Sequence, residues 1–144
     1  MKFNENFNNH LNKDVIHLES HESNKNLVNN LINFFEAKIT LIDIKTNKSI
    51  KVSVNQIESI ESFTHLSKVN LVDDSLFYIK GRIKEFSDFT QYKIVKINNS
   101  QLFNLRHINQ FSSDKASRLL IISNSNKEYI VSRYYSREIK EMLL

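Results

Sequence analysis

The chain contains no cysteine and no proline, and Gly81 is its only glycine. Without cysteine there can be no disulfide, no thiolate zinc site and no cysteine nucleophile. With one glycine, the phosphate-cradling loop, the dinucleotide fingerprint and the serine elbow of α/β-hydrolases are all excluded, because each needs several. Turns must be made by Asn, Asp and Ser, which tolerate left-handed backbone or bond their own main chain. Asn occurs 19 times. Long apolar runs are missing too: charge or Asn interrupts every few residues, so no window approaches the roughly 18–20 apolar residues of a membrane span. The start, Met1-Lys2-Phe3-Asn4-Glu5-Asn6, lacks the apolar stretch of a signal peptide. A cytoplasmic chain of bacterial type is the expectation.

What is present is ordinary for one domain or a domain with a short extension: 144 residues, 40% apolar and 25% charged. The net charge of +4 is mild, but it is unevenly placed. Residues 1–50 hold 6 Lys/Arg and 6 Asp/Glu, residues 51–90 hold 5 and 6, and residues 91–144 hold 9 and 4. All the excess lies in the last third. A concentrated cationic patch can neutralise phosphates and steer association, which a diffuse charge does weakly.

Asp14 to His21 alternates, predicting a short strand with Val15, His17, Glu19 and His21 on one face. Ser23 is placed to cap a helix from about Asn24 to Phe35, whose Leu27, Val28, Leu31, Ile32 and Phe35 form one apolar stripe. This β-α extension, residues 1–38, is expected to pack on the following domain or to form a dimer contact. Residues 39–144 read as a β-rich body. Period-two segments at 38–44, 49–54, 58–63, 68–72, 76–80, 92–97, 107–111, 118–123 and 128–131 predict strands. Between them lie polar turns: Lys45-Thr46-Asn47-Lys48, an elbow at Thr64-His65-Leu66-Ser67, Asp73-Asp74, Asn98-Asn99-Ser100 and Asn124-Ser125-Asn126-Lys127. Gly81 lets the chain bend into a short helix, Arg82–Phe89, that buries Ile83 and Phe86.

Ser132 is placed to cap a last helix. Tyr135, Ile139, Met142 and Leu143 form its apolar face, while Arg133, Arg137 and Lys140 repeat at the same spacing two residues earlier. That offset is roughly 200° around a helix, so one side docks and the other presents cations.

The elbow, the Asn98-Asn99-Ser100 turn and the start of the last helix all sit at strand ends, with residue types suited to reading duplex DNA. Asn can pair with adenine N6 and N7, and Arg with guanine O6 and N7, in the major groove. Lys96, Arg137 and Lys140 suit phosphates, which position without specifying.

These pieces, taken in order, resemble a LytTR-type DNA-binding domain, the output module of many bacterial transcriptional regulators. The resemblance runs from Ser59 to Leu143. It is carried by Ile60-Glu61-Ser62-Phe63, by Lys80-Gly81-Arg82-Ile83-Lys84-Glu85-Phe86, by the stretch Tyr92 to Asn104 around Asn98-Asn99-Ser100, by Arg106-His107-Ile108, and by Tyr129-Ile130-Val131-Ser132-Arg133-Tyr134-Tyr135. It implies an elongated, mostly β fold with small helices (α+β), built of short antiparallel strands, whose loops enter successive major grooves. It implies roles for His65, Ser67 and Lys68 in a first DNA-facing loop, for Asn98, Asn99 and Ser100 in a second, and for Arg133 and Tyr134 in a third. Which of Arg133 and Tyr134 meets a base is left open. Asn98-Asn99 stands where relatives often have His-Arg, which removes a cation. The 40 or so residues ahead of the module cannot supply a receiver domain, so the chain is similar to stand-alone regulators of this type. The kinship further implies paired direct repeats as the DNA site, a homodimer and restraint by a small membrane protein.

Two other readings compete. His17 and His21, which would share a strand face, could be imagined with Asp14 or Glu19 as a metal site, but a third convincing ligand is not evident, and no nucleophile-base spacing appears. No metal, cofactor or catalysis is expected. A small basic β domain could instead stack single-stranded nucleic acid, or a protein partner, on Phe77, Tyr78 and Phe103, but these lie in apolar runs and read as core.

Overall fold

Hairpins in a chain this poor in glycine depend on other residues entering left-handed backbone. Asn47, Thr64, Asp74 and Asn126 do so, with φ between 52° and 69°, and each sits in the turn of a hairpin. The computed structural model describes residues 1–114, 116 and 118–143. It divides into two units, Met1–Ile32 and a second from Asn33 onward.

In the first unit no strand forms over residues 14–21, contrary to the alternation. A lone alternating segment leaves its backbone donors and acceptors unpaired, and pairing is what makes a strand. Ser23 does not cap the helix either. His21 caps a short 3-10 turn, Glu22–Asn24, its Nδ1 accepting from the Ser23 backbone N–H at 3.2 Å. Helix α1, Lys25–Glu36, follows as expected but buries none of its residues. Its predicted stripe is only half-covered, and Phe35 is 64% exposed. Phe34, outside that stripe, carries the Arg106 guanidinium 4.1 Å from its ring centre.

The body begins with the hairpin β1 (Lys38–Asp43) and β2 (Lys48–Ser53). Strands β3 (Ile57–Phe63), β4 (Leu66–Leu71) and β5 (Leu76–Lys80) form a meander. The elbow expected at 64–67 is shorter than that, since Leu66 and Ser67 are already in β4. Gly81 takes φ +116°, where a Cβ would also lie 3.1 Å from a Glu85 carboxylate oxygen. That carboxylate caps the Arg82 N–H at the start of a 3-10 segment, Ile83–Tyr92, broken at Phe86. Ile83, Phe86 and Phe89 are its buried face.

Next come β6 (Ile94–Asn98), β7 (Gln101–Asn104), β8 (Ile108–Ser113), β9 (Leu119–Ser123), β10 (Glu128–Val131) and helix α2 (Arg133–Leu143). The sequence pattern predicts no strand at β7, yet it pairs with both β3 and β6, one place in from the β6 edge of the sheet. All pairings are antiparallel, in a seven-stranded sheet ordered β2-β1-β5-β4-β3-β7-β6 and a three-stranded sheet ordered β10-β9-β8.

One apolar core lies between the large sheet and the 3-10 segment, centred on Leu41, Ile57, Ile60, Val69 and Ile94. A second, centred on Ile97, Phe103, Leu119, Ile121, Val131 and Ile139, joins β6 and β7 to the small sheet and α2. Polar contacts bridge the same seam. The buried Glu58 carboxyl accepts from Tyr129 Oη at 2.6 Å and from Ser125 Oγ. The Ser132 N–H donates to Ile97 O at 2.9 Å, closing the β6 edge against the end of β10. No helix among the described residues is long and apolar enough to cross a membrane.

Candidate nucleic-acid interface

Sheet register decides which turns share an end. Antiparallel pairing of β3 with β7 sets Glu61 opposite Gln101, and the Ser62 N–H donates to Ser100 O at 2.8 Å. The β3–β4 turn with His65 therefore emerges beside the β6–β7 turn with Asn99. Register also sets Leu66 opposite Lys80, which brings exposed Arg82 to the same end. At the seam, Asn99, Arg118, Ser132, Arg133, Tyr134 and Tyr135 line one open groove of about 650 Å³. Three separate connections thus meet there: the β6–β7 turn, the segment ahead of β9, and the start of α2.

The side chains in these turns divide sharply by what already holds them. Asn98 is committed. Its Oδ1 accepts from the Ser100 N–H at 2.9 Å and from Ser100 Oγ at 3.0 Å. Its Nδ2 donates to Gln101 Oε1 at 2.9 Å and to Ile130 O at 3.0 Å. Two donors and two acceptor positions are all a carboxamide has, so Asn98 has none left for a base. In this structure Asn98 builds the turn and ties it to β10. Asn99, next along, is exposed and free to point outward.

Ser67 is likewise held inside the fold. It is fully buried in β4, and its Oγ donates to Gly81 O at 2.8 Å. The period-two alternation of β4 puts it on the inner face. Lys68, on the other face, is half-buried with Nζ 4.9 Å from the Phe63 ring centre. His65 is exposed in its turn, 3.5 Å from Thr64 Oγ1. Ser100 is exposed, its hydroxyl turned to Asn98.

On α2, Ser136 and Ile139 are the buried residues and Tyr135 is half-buried. Ser136 precedes Arg137 by one position, about 100° of helix rotation, so the cationic ridge flanks the docked face instead of opposing it. Lys140 is accordingly half-buried, and Arg133 is exposed. Arg137 is exposed and lies 3.5 Å from Glu141, an ion pair too solvated to hold it strongly. Tyr134 is 86% exposed, with its ring edge-on to Tyr135. Lys96 lies in a neighbouring, more apolar groove of about 360 Å³ with Glu138 and Tyr135, its Nζ 5.7 Å from the Tyr135 ring centre.

Of the aromatic residues in the single-strand alternative, Phe103 is fully buried and Phe77 and Tyr78 are half-buried. Among the described residues no three His, Asp or Glu side chains gather as a metal site.

Arg118 also lines the groove with Asn99, a residue that the strand and turn pattern does not single out. Its signal was legible: an Asp-x-x-x-Arg pair, Asp114 to Arg118, in the most basic third of the chain. The structure turns that pair into a tight contact, with Arg118 Nε and Nη2 both 2.8 Å from Asp114 Oδ2.

The family model of the LytTr DNA-binding domain matches residues 47–144. A solved structure from Bacillus cereus, the LytTr DNA-binding domain of a protein assigned as a methyl-accepting/DNA response regulator, superposes with a TM-score of 0.66 at 20% identity. The match covers 75% of this chain and 97% of that one. At that identity the likeness concerns the fold. Among curated protein sequences nothing matches.

Proposed function

Because the chain belongs to the LytTR DNA-binding domain family, we propose that it is a sequence-specific reader of duplex DNA in transcription regulation, without catalysis. In this reading Asn99, Arg133 and Tyr134 enter the major groove from one surface, with His65 on the adjoining turn and Ser100 beside Asn99. Lys68, Lys96, Arg137 and Lys140 hold phosphates. The observation that carries it is the shared groove: exposed amide, guanidinium and phenol groups from separate connections line one open cleft. Such groups match the donor and acceptor pattern of base edges. Burial of Phe103 and half-burial of Phe77 and Tyr78 weigh against a stacking platform for single strands. Paired direct repeats, a homodimer and a membrane-protein partner rest on the family resemblance alone.

Selection of bound sequences from random duplexes tests binding and returns the site together. On the selected duplex Asn99→Ala is expected to cost about 1–3 kcal/mol, with little change on random duplex. Equal losses on both, read by fluorescence anisotropy, would make Asn99 a backbone contact only. Failure to enrich any duplex would remove the reading.

A further inference from the structure

Arg118 sits in the groove with Asn99 and Arg133, at the foot of β9, with its side chain 44% exposed. Its partner Asp114, only 16% exposed, is itself fixed. Asp114 Oδ1 accepts from the backbone N–H groups of Arg118 at 2.8 Å and Ala116 at 3.0 Å, while the Asp114 N–H donates to Arg118 O at 2.8 Å. These bonds, the Arg118 N–H foremost, hold the Asp114 carboxyl below its usual pKa, so it is ionised at neutral pH. The carboxylate then takes Arg118 side-on, through Nε and Nη2 on one oxygen.

Side-on capture has a geometric consequence. A guanidinium has five N–H donors in a rigid plane. Asp114 engages two, which leaves both N–H of Nη1 and the outer N–H of Nη2. One N–H of Nη1 and that outer N–H of Nη2 form the end-on edge of the fork, the edge that matches guanine O6 and N7. The carboxylate also compensates the cation. Arg118 therefore has little net charge to offer a phosphate, whereas its hydrogen-bonding edge is intact and its rotamer is fixed beforehand.

Resting on the duplex-DNA reading above, we propose that Arg118 is a specificity-determining residue that reads a guanine, with Asp114 as its positioning residue. The guanine would lie next to the base met by Asn99, since the two side chains line the same groove.

The test compares the intact chain with Arg118→Ala and Arg118→Lys on the wild-type selected duplex and on duplexes carrying each single base-pair change. Thermal melts establish that both variants fold. The Lys variant keeps the charge but loses the planar fork. Both variants are expected to bind the selected duplex about 10- to 100-fold more weakly and to become indifferent at one G·C pair, with the salt dependence unchanged. A uniform loss on every duplex, with the salt slope of the Ala variant reduced by about one, would make Arg118 a phosphate contact and overturn the proposal. So would retention of every base preference. If the wild-type chain itself prefers no duplex, the DNA-reading assignment has failed, and this proposal with it.

Discussion

Phe103→Ala is expected to destabilise the domain by about 3–5 kcal/mol, the range for emptying a phenyl ring from a closed core. Phe103 lies on β7 opposite Ser59 of β3 and Val95 of β6, with no exposed surface. Its ring packs 4.7 Å, centre to centre, from Tyr129 of the small sheet. It thus fills the seam that joins the β6–β7 turn to the strand leading into α2. In a domain of this size that cost corresponds to a fall of roughly 10–20 °C in Tm. Phe103→Leu, which conserves most of the volume, should cost under about 1.5 kcal/mol. Calorimetry of the two variants checks this. An Ala variant melting within a few degrees of wild type would mean that the seam is not held by this ring.

Glu58→Ala should follow, at about 2–4 kcal/mol in urea titration. Glu58 is fully buried on β3 and accepts the hydroxyls of Tyr129 and Ser125 from the β9–β10 hairpin. Deleting the acceptor strands the buried Tyr129 hydroxyl, at about 1–3 kcal/mol, and the half-buried Ser125 hydroxyl at less, although Tyr129 Oη keeps a 3.1 Å contact to Ser59 Oγ. Glu58→Gln, which retains an acceptor oxygen, is expected to fall between wild type and the Ala variant. Indistinguishable stability of all three would show that the bridge adds nothing. The same bridge has a pH signature. Burial first, then the Glu58 contact, raises the Tyr129 phenol above its ordinary value of 10.0. Its contribution is complete below pH 10, where the phenol of the unfolded chain is still protonated, and is lost as pH climbs above it.

Much of the body was legible because its signals are local. Glu128–Val131 alternates directly after a polar turn, and Asn or Asp takes the left-handed backbone in three of the hairpin turns, at Asn47, Asp74 and Asn126. The 3-10 segment after Gly81 was readable from one glycine followed by spaced apolar residues. What escaped is non-local. Strand β7 is only four residues, Gln-Leu-Phe-Asn, and becomes a strand through partners 40 or more residues away in β3. The alternation at Asp14–His21 is as good locally, but no partner strand pairs with it, and it stays unpaired. The site divides on the same line. That Asn98-Asn99-Ser100 forms a turn is written in its composition. Which Asn is free depends on Ile130 O, which lies 32 positions further along the chain. Ser67 was lost to an acceptor, Gly81 O, 14 residues away.

The division of labour between an outward Asn99 and a committed Asn98 is open to direct observation. Titration of the isotope-labelled protein with its selected duplex, followed by amide and side-chain NMR shifts, maps the contact residue by residue. Large changes are expected at His65, Asn99, Ser100, Arg118, Arg133 and Tyr134, with the Asn98 carboxamide keeping its hydrogen-bonded shift. Changes confined to the β1–β2 hairpin or the Asp73-Asp74 turn, leaving the groove residues unmoved, would contradict the account.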